Sequence, residues 1–245
     1  MPLMRLDRFL AENSIGTRSQ VRELIKKGLI TVNDIVVKKA DIKVDTLADA
    51  VSYNGNVINY QKYHYYILNK PAGYVTATTD NREKTVMELL DVPEIKKLFP
   101  VGRLDKDTEG LLLITDDGEL AHRLLSPRYH VDKTYYVKCE GIVDKKDIDR
   151  LSDGIDIGDD KPTMPAVAEL ISVDEKNNTS ELFLTIREGR FHQVKRMLGA
   201  VDKKVTYLER VSMGPLRLDT DIKRGSYRSL AESEIEELKS FSLQA

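Results

Sequence analysis

Apolar positions along the chain change period several times, and each change predicts an element. Leu6, Phe9 and Leu10 fall on one face of a helix over residues 4–13. Val21, Leu24 and Ile25 form the buried stripe of a second helix over 18–27, with Thr17 as N-cap, Gln20 completing a capping box and Gly28 as the stop. Short β-rich pieces follow at 29–32 and 35–37 around Asn33-Asp34, and at 51–57 around a hairpin signal, Asn54-Gly55. Residues 61–64 read as a linker. Beyond them, strands are expected at 65–68, 111–115, 134–138 and 182–186. Helices are expected at 85–90, at 119–125, at 191–198 with Val194, Met197 and Leu198 inward, and in a C-terminal segment capped by Ser229 and Glu232 and ending near Phe241. Strands and helices do not alternate regularly. The expectation is therefore α+β, with a small N-terminal domain over 1–60 and a larger domain over 65–245 whose mixed, mostly antiparallel sheet is flanked by helices.

Charge sharpens this picture. The chain's formal net charge is −2, which excludes a uniformly basic nucleic-acid binder, yet residues 4–39 hold eight basic side chains against four acidic ones. Arg18, Arg22 and Lys26 are spaced by four and share one helix face. A solvated face would explain such a stripe alone, but Lys38 and Lys39 extend it onto the adjoining hairpin. A polyanion would dock here first. Cys139 is the only cysteine, so there is neither a disulfide framework nor a cysteine-based zinc site. His122, His130 and His192 lack zinc-ligand spacing, and no metal site is expected. Arg5, Asp7 and Arg8 argue against a signal peptide, and no apolar run is long enough to span a bilayer. A cytoplasmic monomer with no membrane partner is the expectation.

The densest chemistry lies in "VGRLDKDTEGLLLITDDGEL", residues 101–120. Three readings of its acids compete. Asp105, Asp107, Glu109, Gly110 and Asp116 partly match a calcium loop, although Glu at the fifth position and Asp at the twelfth depart from the template. Acids in turns commonly cap or solvate. A single carboxylate could also be held in a cleft for catalysis, with Arg103 steering its charge, or paired as in glycosidases.

Two resemblances separate these readings. "RLDRFLAENSIGTRSQVRELIKKGLITVNDIVVKKADIKV", residues 5–44, resembles the alpha-L, or S-four-type, RNA-binding domain. "LNKPAGYVTATTD" at 68–80, "GRLDKDTEGLLLITDDGELAHRLLSPRYHVDKTYYV" at 102–137 and "EGRFHQVKRMLGAVDKKVTYLERVSMGPLRL" at 188–218 resemble the RsuA branch of the pseudouridine synthases, in family order. The resemblance implies an enzyme that isomerises uridine to pseudouridine in rRNA. Asp105 would be the catalytic residue, Arg103 would displace or replace the flipped base, and Tyr135 would stack on the uracil and serve its ring proton. Lys195 would pair with Asp105, with Arg196 as the fallback for that role. RNA contacts are expected at Arg5, Arg18, Arg22, Lys26, Lys27, Lys38, Lys39, Arg190, His192 and Arg196.

The reaction breaks one C–N bond, turns the base and rejoins it through carbon, with no net gain of atoms or electrons, so no cofactor is expected. The carboxylate acts at the sugar as nucleophile or as base, and a cation beside it would favour its charged form. "DDGELAHRLLSPRYHVDKTYYV" and "MPAVAEL" at 164–170 look most like enzymes acting on 16S small-subunit rRNA, naked or partly assembled into a subunit. The alternatives are a 23S large-subunit enzyme and a non-catalytic ribosome-assembly protein.

Overall fold

The computed structural model describes residues 3–58 and 60–244, which divide into two compact units, Met1–His64 and Tyr65–Ala245. In the first, β1 (Leu3–Arg5) leads directly into α1 (Leu6–Glu12), followed by α2 (Arg18–Lys26), β2 (Ile30–Val32), β3 (Ile35–Val36), β4 (Lys43–Asp45), β5 (Val51–Tyr53) and β6 (Asn56–Ile58). Both halves of the Thr17/Gln20 capping box form, and Gly28 ends α2 at φ +74°. Asn33, Asp34, Asn54 and Gly55 all take positive φ, as tight hairpin turns demand. The fully buried Leu6, Leu10, Val21, Ile25, Ile30, Val44 and Val51, with Phe9, make one core. The helix expected from residue 4 begins two residues later. Met4 pairs with Val44 in β1–β4, a contact across about forty residues of chain that no local pattern announces. The segment read as a linker begins tied to this unit, for Gln61 N–H donates to Asn13.

The second unit runs β7 (Tyr65–Lys70), β8 (Phe99–Pro100), β9 (Glu109–Thr115), α3 (Gly118–Leu125), β10 (Lys133–Glu140), α4 (Lys145–Asp153), β11 (Val167–Asp174), β12 (Thr179–Ile186), α5 (Gln193–Gly199), β13 (Lys204–Met213), β14 (Leu216–Arg217), β15 (Tyr227–Ser229) and α6 (Glu232–Gln244). Its sheet has the order β11-β12-β10-β13-β9-β7-β15, with β14 on β13 and β8 on β9. All described pairings are antiparallel except β9 with β13. The expected mixed, mostly antiparallel sheet is what forms. Leu111, Leu112, Leu113 and Ile114 are fully buried, so β9 is covered on both faces, each side chain contributing about 1.5–3 kcal/mol. Gly110 lies where β9 meets β13; at φ +98° a Cβ there would strike the Arg210 carbonyl oxygen.

Three local expectations need correction. Residues 86–89 form a short 3-10 helix, capped by Thr85 and Glu88 as a capping box. Ser229 does not cap α6: it ends β15 opposite Tyr66, and the Ala231 N–H donates to Glu234 instead. Phe191 lies outside α5 and is 76% exposed, because the chain enters that helix through a left-handed His192. No helix among the described residues is long and apolar enough to cross a membrane.

Candidate active site

Strand alternation places the first components. Along β10, Lys133, Tyr135, Val137 and Cys139 face inward while Thr134, Tyr136 and Lys138 alternate outward. Across the β10–β13 ladder Tyr135 lies opposite Arg210. This inner face is apolar at Val137 and Cys139 and opens into a cleft at Tyr135 and Lys133. The cleft encloses about 860 Å³, the size of a small-ligand pocket. The 101–108 loop and residues 187–192 complete its walls.

The 101–108 loop is clamped from below. Lys70, fully buried at the end of β7, donates its ammonium to the carbonyls of Pro71, Asp105, Lys106 and Thr108 at 2.7–3.3 Å. Burial pushes that amine down to about 8 despite the nearby Asp107, Glu109 and Asp105. Thr76 Oγ1 accepts from Leu104 N at 3.1 Å and donates to Leu104 O at 2.7 Å. The Asp105 backbone is thereby held from two directions. Sequence reading missed both clamps; a lysine closing an otherwise apolar strand was the available signal for Lys70.

The Asp105 carboxylate reaches into the cleft. Its Oδ2 is 3.1 Å from Lys195 Nζ, and its Oδ1 is 3.5 Å from His192 Nε2. Lys195 also contacts Asp107 Oδ1 at 2.6 Å. Burial pulls the Lys195 ammonium down, but the hydrogen bonds and charges of Asp107 and Asp105 outweigh it and hold the group above the ordinary lysine value. Asp107 is lowered in turn, chiefly by Lys195. Arg103 is exposed on the wall of the same cleft and makes no hydrogen bond or ion pair among the described residues. Tyr135 is buried and shares a smaller recess with Arg103, Asp105, His192, Ile186, Val194 and Leu208. The structure thus brings Asp105, Lys195, Tyr135, Arg103 and His192 together around one opening.

Of the acids that partly match a calcium loop, Asp105 and Asp107 share Lys195 and Glu109 is held elsewhere, so their oxygens meet donors of the protein itself. Glu109 pairs with Tyr207 and Arg224, while Asp117 caps α3 and accepts from Tyr65.

Arg196 is not among the residues lining the cleft, whereas Arg190 lines it with its guanidinium engaged by the protein itself. Arg190 donates to Glu188, to Asp159 and to the carbonyls of Lys161 and Pro162. Arg196 donates to Asp159 and to the carbonyls of Ile157 and Phe191. Both arginines pin the 157–162 loop, and it is Lys195 that faces Asp105. At the mouth, the exposed Phe191 ring stacks on His192 with centroids 3.8 Å apart.

In the first unit, Arg5 and Arg22 both donate to the buried Asp7, and Lys26 pairs with Glu23. Arg18, Lys27, Lys38 and Lys39 are exposed and have no ion-pair partner among the described residues. Arg5, Arg8, Arg18 and Arg22 surround a shallow hollow over Asp7.

Comparison with known proteins bears on both units. The RNA pseudouridylate synthase family model matches residues 64–200, and the S4 domain model matches residues 4–51. The chain is 43% identical, over 95% of its length and 97% of the relative's, to an uncharacterised RNA pseudouridine synthase of Bacillus subtilis. It is 42% identical to ribosomal small subunit pseudouridine synthase A of Escherichia coli, over 95% of this chain and 98% of that one. A solved pseudouridylate synthase superposes with a TM-score of 0.67 at 38% identity, covering 96% of this chain and 99% of the other. With family models on both units and such relatives along nearly its whole length, the chain belongs to the RNA pseudouridylate synthase family, isomerases of uridine in RNA, and carries an S4 domain ahead of its catalytic unit.

Proposed function

We propose that this enzyme converts one uridine of small-subunit (16S) rRNA to pseudouridine, with Asp105 acting at the ribose of a flipped nucleotide. The observation that carries the assignment is the Asp105–Lys195 ion pair, 3.1 Å long, at a cleft whose recess is walled by Tyr135. The small-subunit target rests on relatives named for that subunit and aligned over 95% of this chain.

The geometry suits the chemistry. Leaving the stack costs the base a few kcal/mol, and stacking on an aromatic side chain such as Tyr135 returns about 1–3 kcal/mol. Arg103, on the cleft wall and without a hydrogen-bond or ion-pair partner among the described residues, is the side chain free to fill the gap left in the RNA. Attack of the carboxylate on C1′ and removal of a proton from C2′ both require an ionised Asp105, and Lys195 supplies the compensating charge. The N1–C1′ bond breaks, the uracil turns, and C5–C1′ forms. The proton lost from C5 is balanced by the one N1 carries in the product, with Tyr135 beside the ring to take or relay it. The exposed cations of the S4 domain hold the RNA by its phosphates.

The test is pseudouridine formation in 16S rRNA by the purified protein, mapped by carbodiimide labelling and primer extension, with 23S rRNA in parallel. A single new stop in 16S rRNA is expected. A stop in 23S rRNA alone would keep the chemistry and overturn the target. Silence on both naked RNAs and on assembly intermediates would overturn the catalytic assignment.

A further inference from the structure

Two buried cations of the cleft remain unused by the reaction as described. Lys133 and Arg210 project from the inner faces of β10 and β13, and both line the same opening as Asp105 and Tyr135. Arg210 is 2% exposed; its Nε donates to the Leu111 carbonyl at 2.8 Å, but its Nη2 is buried without a hydrogen-bond partner among the described residues. Lys133 is also buried, and the hydrogen bond it makes goes to the Val131 carbonyl at 2.8 Å. Burial, and then repulsion from Arg210, push the Lys133 amine down to about 8. The carboxylates lining the cleft are already engaged elsewhere: Asp105 and Asp107 with Lys195, and Glu188 with Arg190 and Gln193. Asp132, beside Lys133 in sequence, pairs with Arg187.

Two buried cations side by side, one with an unsatisfied donor, are costly unless an anion joins them. The uracil does not fit that role. The recess beside Tyr135, which also holds Asp105, Arg103 and His192, is lined by neither Lys133 nor Arg210. Lys133 lies two residues from Tyr135, about 7 Å along the strand. Arg210 lies opposite Tyr135, so both cations border the larger cleft just outside the recess, open to the sugar–phosphate of a base held there. An arginine fork and a lysine point charge are the side chains that recognise a phosphodiester.

We propose that Lys133 and Arg210 form a phosphate-binding subsite that takes a phosphodiester flanking the target uridine and so sets its ribose against Asp105. The subsite deepens the pseudouridine synthase reading and rests on it. Long-range attraction of RNA belongs to the exposed cations of the first unit. This pair positions one linkage.

The experiment uses an RNA fragment carrying the mapped target uridine, made with its native backbone or with one neutral methylphosphonate at the 5′ or the 3′ linkage of that uridine. Turnover is measured with the wild-type protein and with Lys133→Met. Neutralising one of the two linkages is expected to lower wild-type kcat/KM about tenfold to a hundredfold. In Lys133→Met the native RNA should lose a similar factor, and the methylphosphonate should then cost less than about twofold, since the partner charge is already gone. Wild-type indifference to both neutral linkages would overturn the subsite, as would losses that simply multiply in the variant. Thermal melting checks folding; removing an unpaired buried ammonium is expected to leave Tm unchanged or raise it. Should Lys133→Met fail to fold, the wild-type comparison of the three RNAs decides alone. Absence of wild-type turnover on the native fragment would overturn the pseudouridine reading, and this subsite with it.

Discussion

In the first unit Arg18, Lys27, Lys38 and Lys39 stand in solvent without carboxylate partners among the described residues, whereas in the second Lys70, Lys133 and Arg210 are buried among carbonyls and apolar side chains. The two arrangements use positive charge differently. Exposed cations keep their hydration, so placing them costs little, and their attraction for a polyanion falls as salt rises. Buried cations lose hydration and are stable only where fixed acceptors replace it, which makes them sensitive to geometry. Lys70 shows the completed case, with four carbonyls around one ammonium holding the Asp105 loop. The comparison teaches that affinity and placement are separable here, and mutation should separate them.

The largest effect should come from Asp105→Asn. The change keeps shape and removes the group that acts at the sugar. Turnover is expected to fall by about three orders of magnitude or more, while RNA affinity in filter binding stays within about threefold. Retained activity would sink the assignment of the catalytic residue. Lys195→Met comes next. It removes the cation from both Asp105 and Asp107, and kcat is expected to drop about a hundredfold, with partial recovery in Lys195→Arg. Equal losses in the Met and Arg variants would mean that Lys195 acts through packing rather than charge.

How much of this was legible in the sequence follows from the range of the interactions involved. The Thr17/Gln20 box and the Asn54-Gly55 turn are settled within four residues, and both form as expected. The β1–β4 pairing, helix α4 and strand β11 escape, because their stripes are short or mixed with charge. Strand β11 carries Glu169 and Asp174 beside the exposed Val167, Ile171 and Val173, so its pattern is not that of a buried strand. At the site, the resemblance points to Asp105, Tyr135 and Lys195, which the fold gathers around one cleft. Arg190 and Arg196, named among the expected RNA contacts, also hold the 157–162 loop. Their partner Asp159 is more than thirty residues away, and no local signal reveals it. Lys133 and Arg210 escape because Lys133 precedes the strand expected at 134–138 and Arg210 lies where no strand was expected; only the β10–β13 ladder brings both to one inner face.

The exposed side of the comparison gives a smaller effect. Replacing Arg18, Lys27, Lys38 and Lys39 together by Gln should weaken RNA binding about tenfold to a hundredfold at low salt. The salt dependence should flatten by about 0.7–0.9 for each phosphate that is no longer neutralised. Saturating kcat should not change. A fall in kcat with unchanged affinity would invert the division of labour between the units.

The smallest effect tests the buried charge of the first unit, which is an anion. Asp7 lies in the first turn of α1 with its side chain 4% exposed, between two arginines that are each about half in solvent. The hydrogen bond from Arg5 lowers its carboxyl, burial opposes this, and Arg22 adds to the lowering, leaving it at about 2. A carboxyl lowered on folding stabilises the folded state above its ordinary value near 3.8, and that contribution is lost as pH falls through about 2. Discounted for the solvent around the arginine ends, it is worth about 1–2 kcal/mol at neutral pH. Asp7→Asn keeps the shape and removes the charge, so amide hydrogen exchange over α1 and α2, corrected for intrinsic rates, should show that loss at pH 7. The gap between wild type and variant should narrow as pH falls from about 4 to 2. A gap that persisted unchanged to pH 2 would assign the loss to packing. A narrowing gap would show that Asp7 holds Arg5 and Arg22 by charge, and that these two arginines, unlike Arg18 and Lys38, meet RNA already oriented.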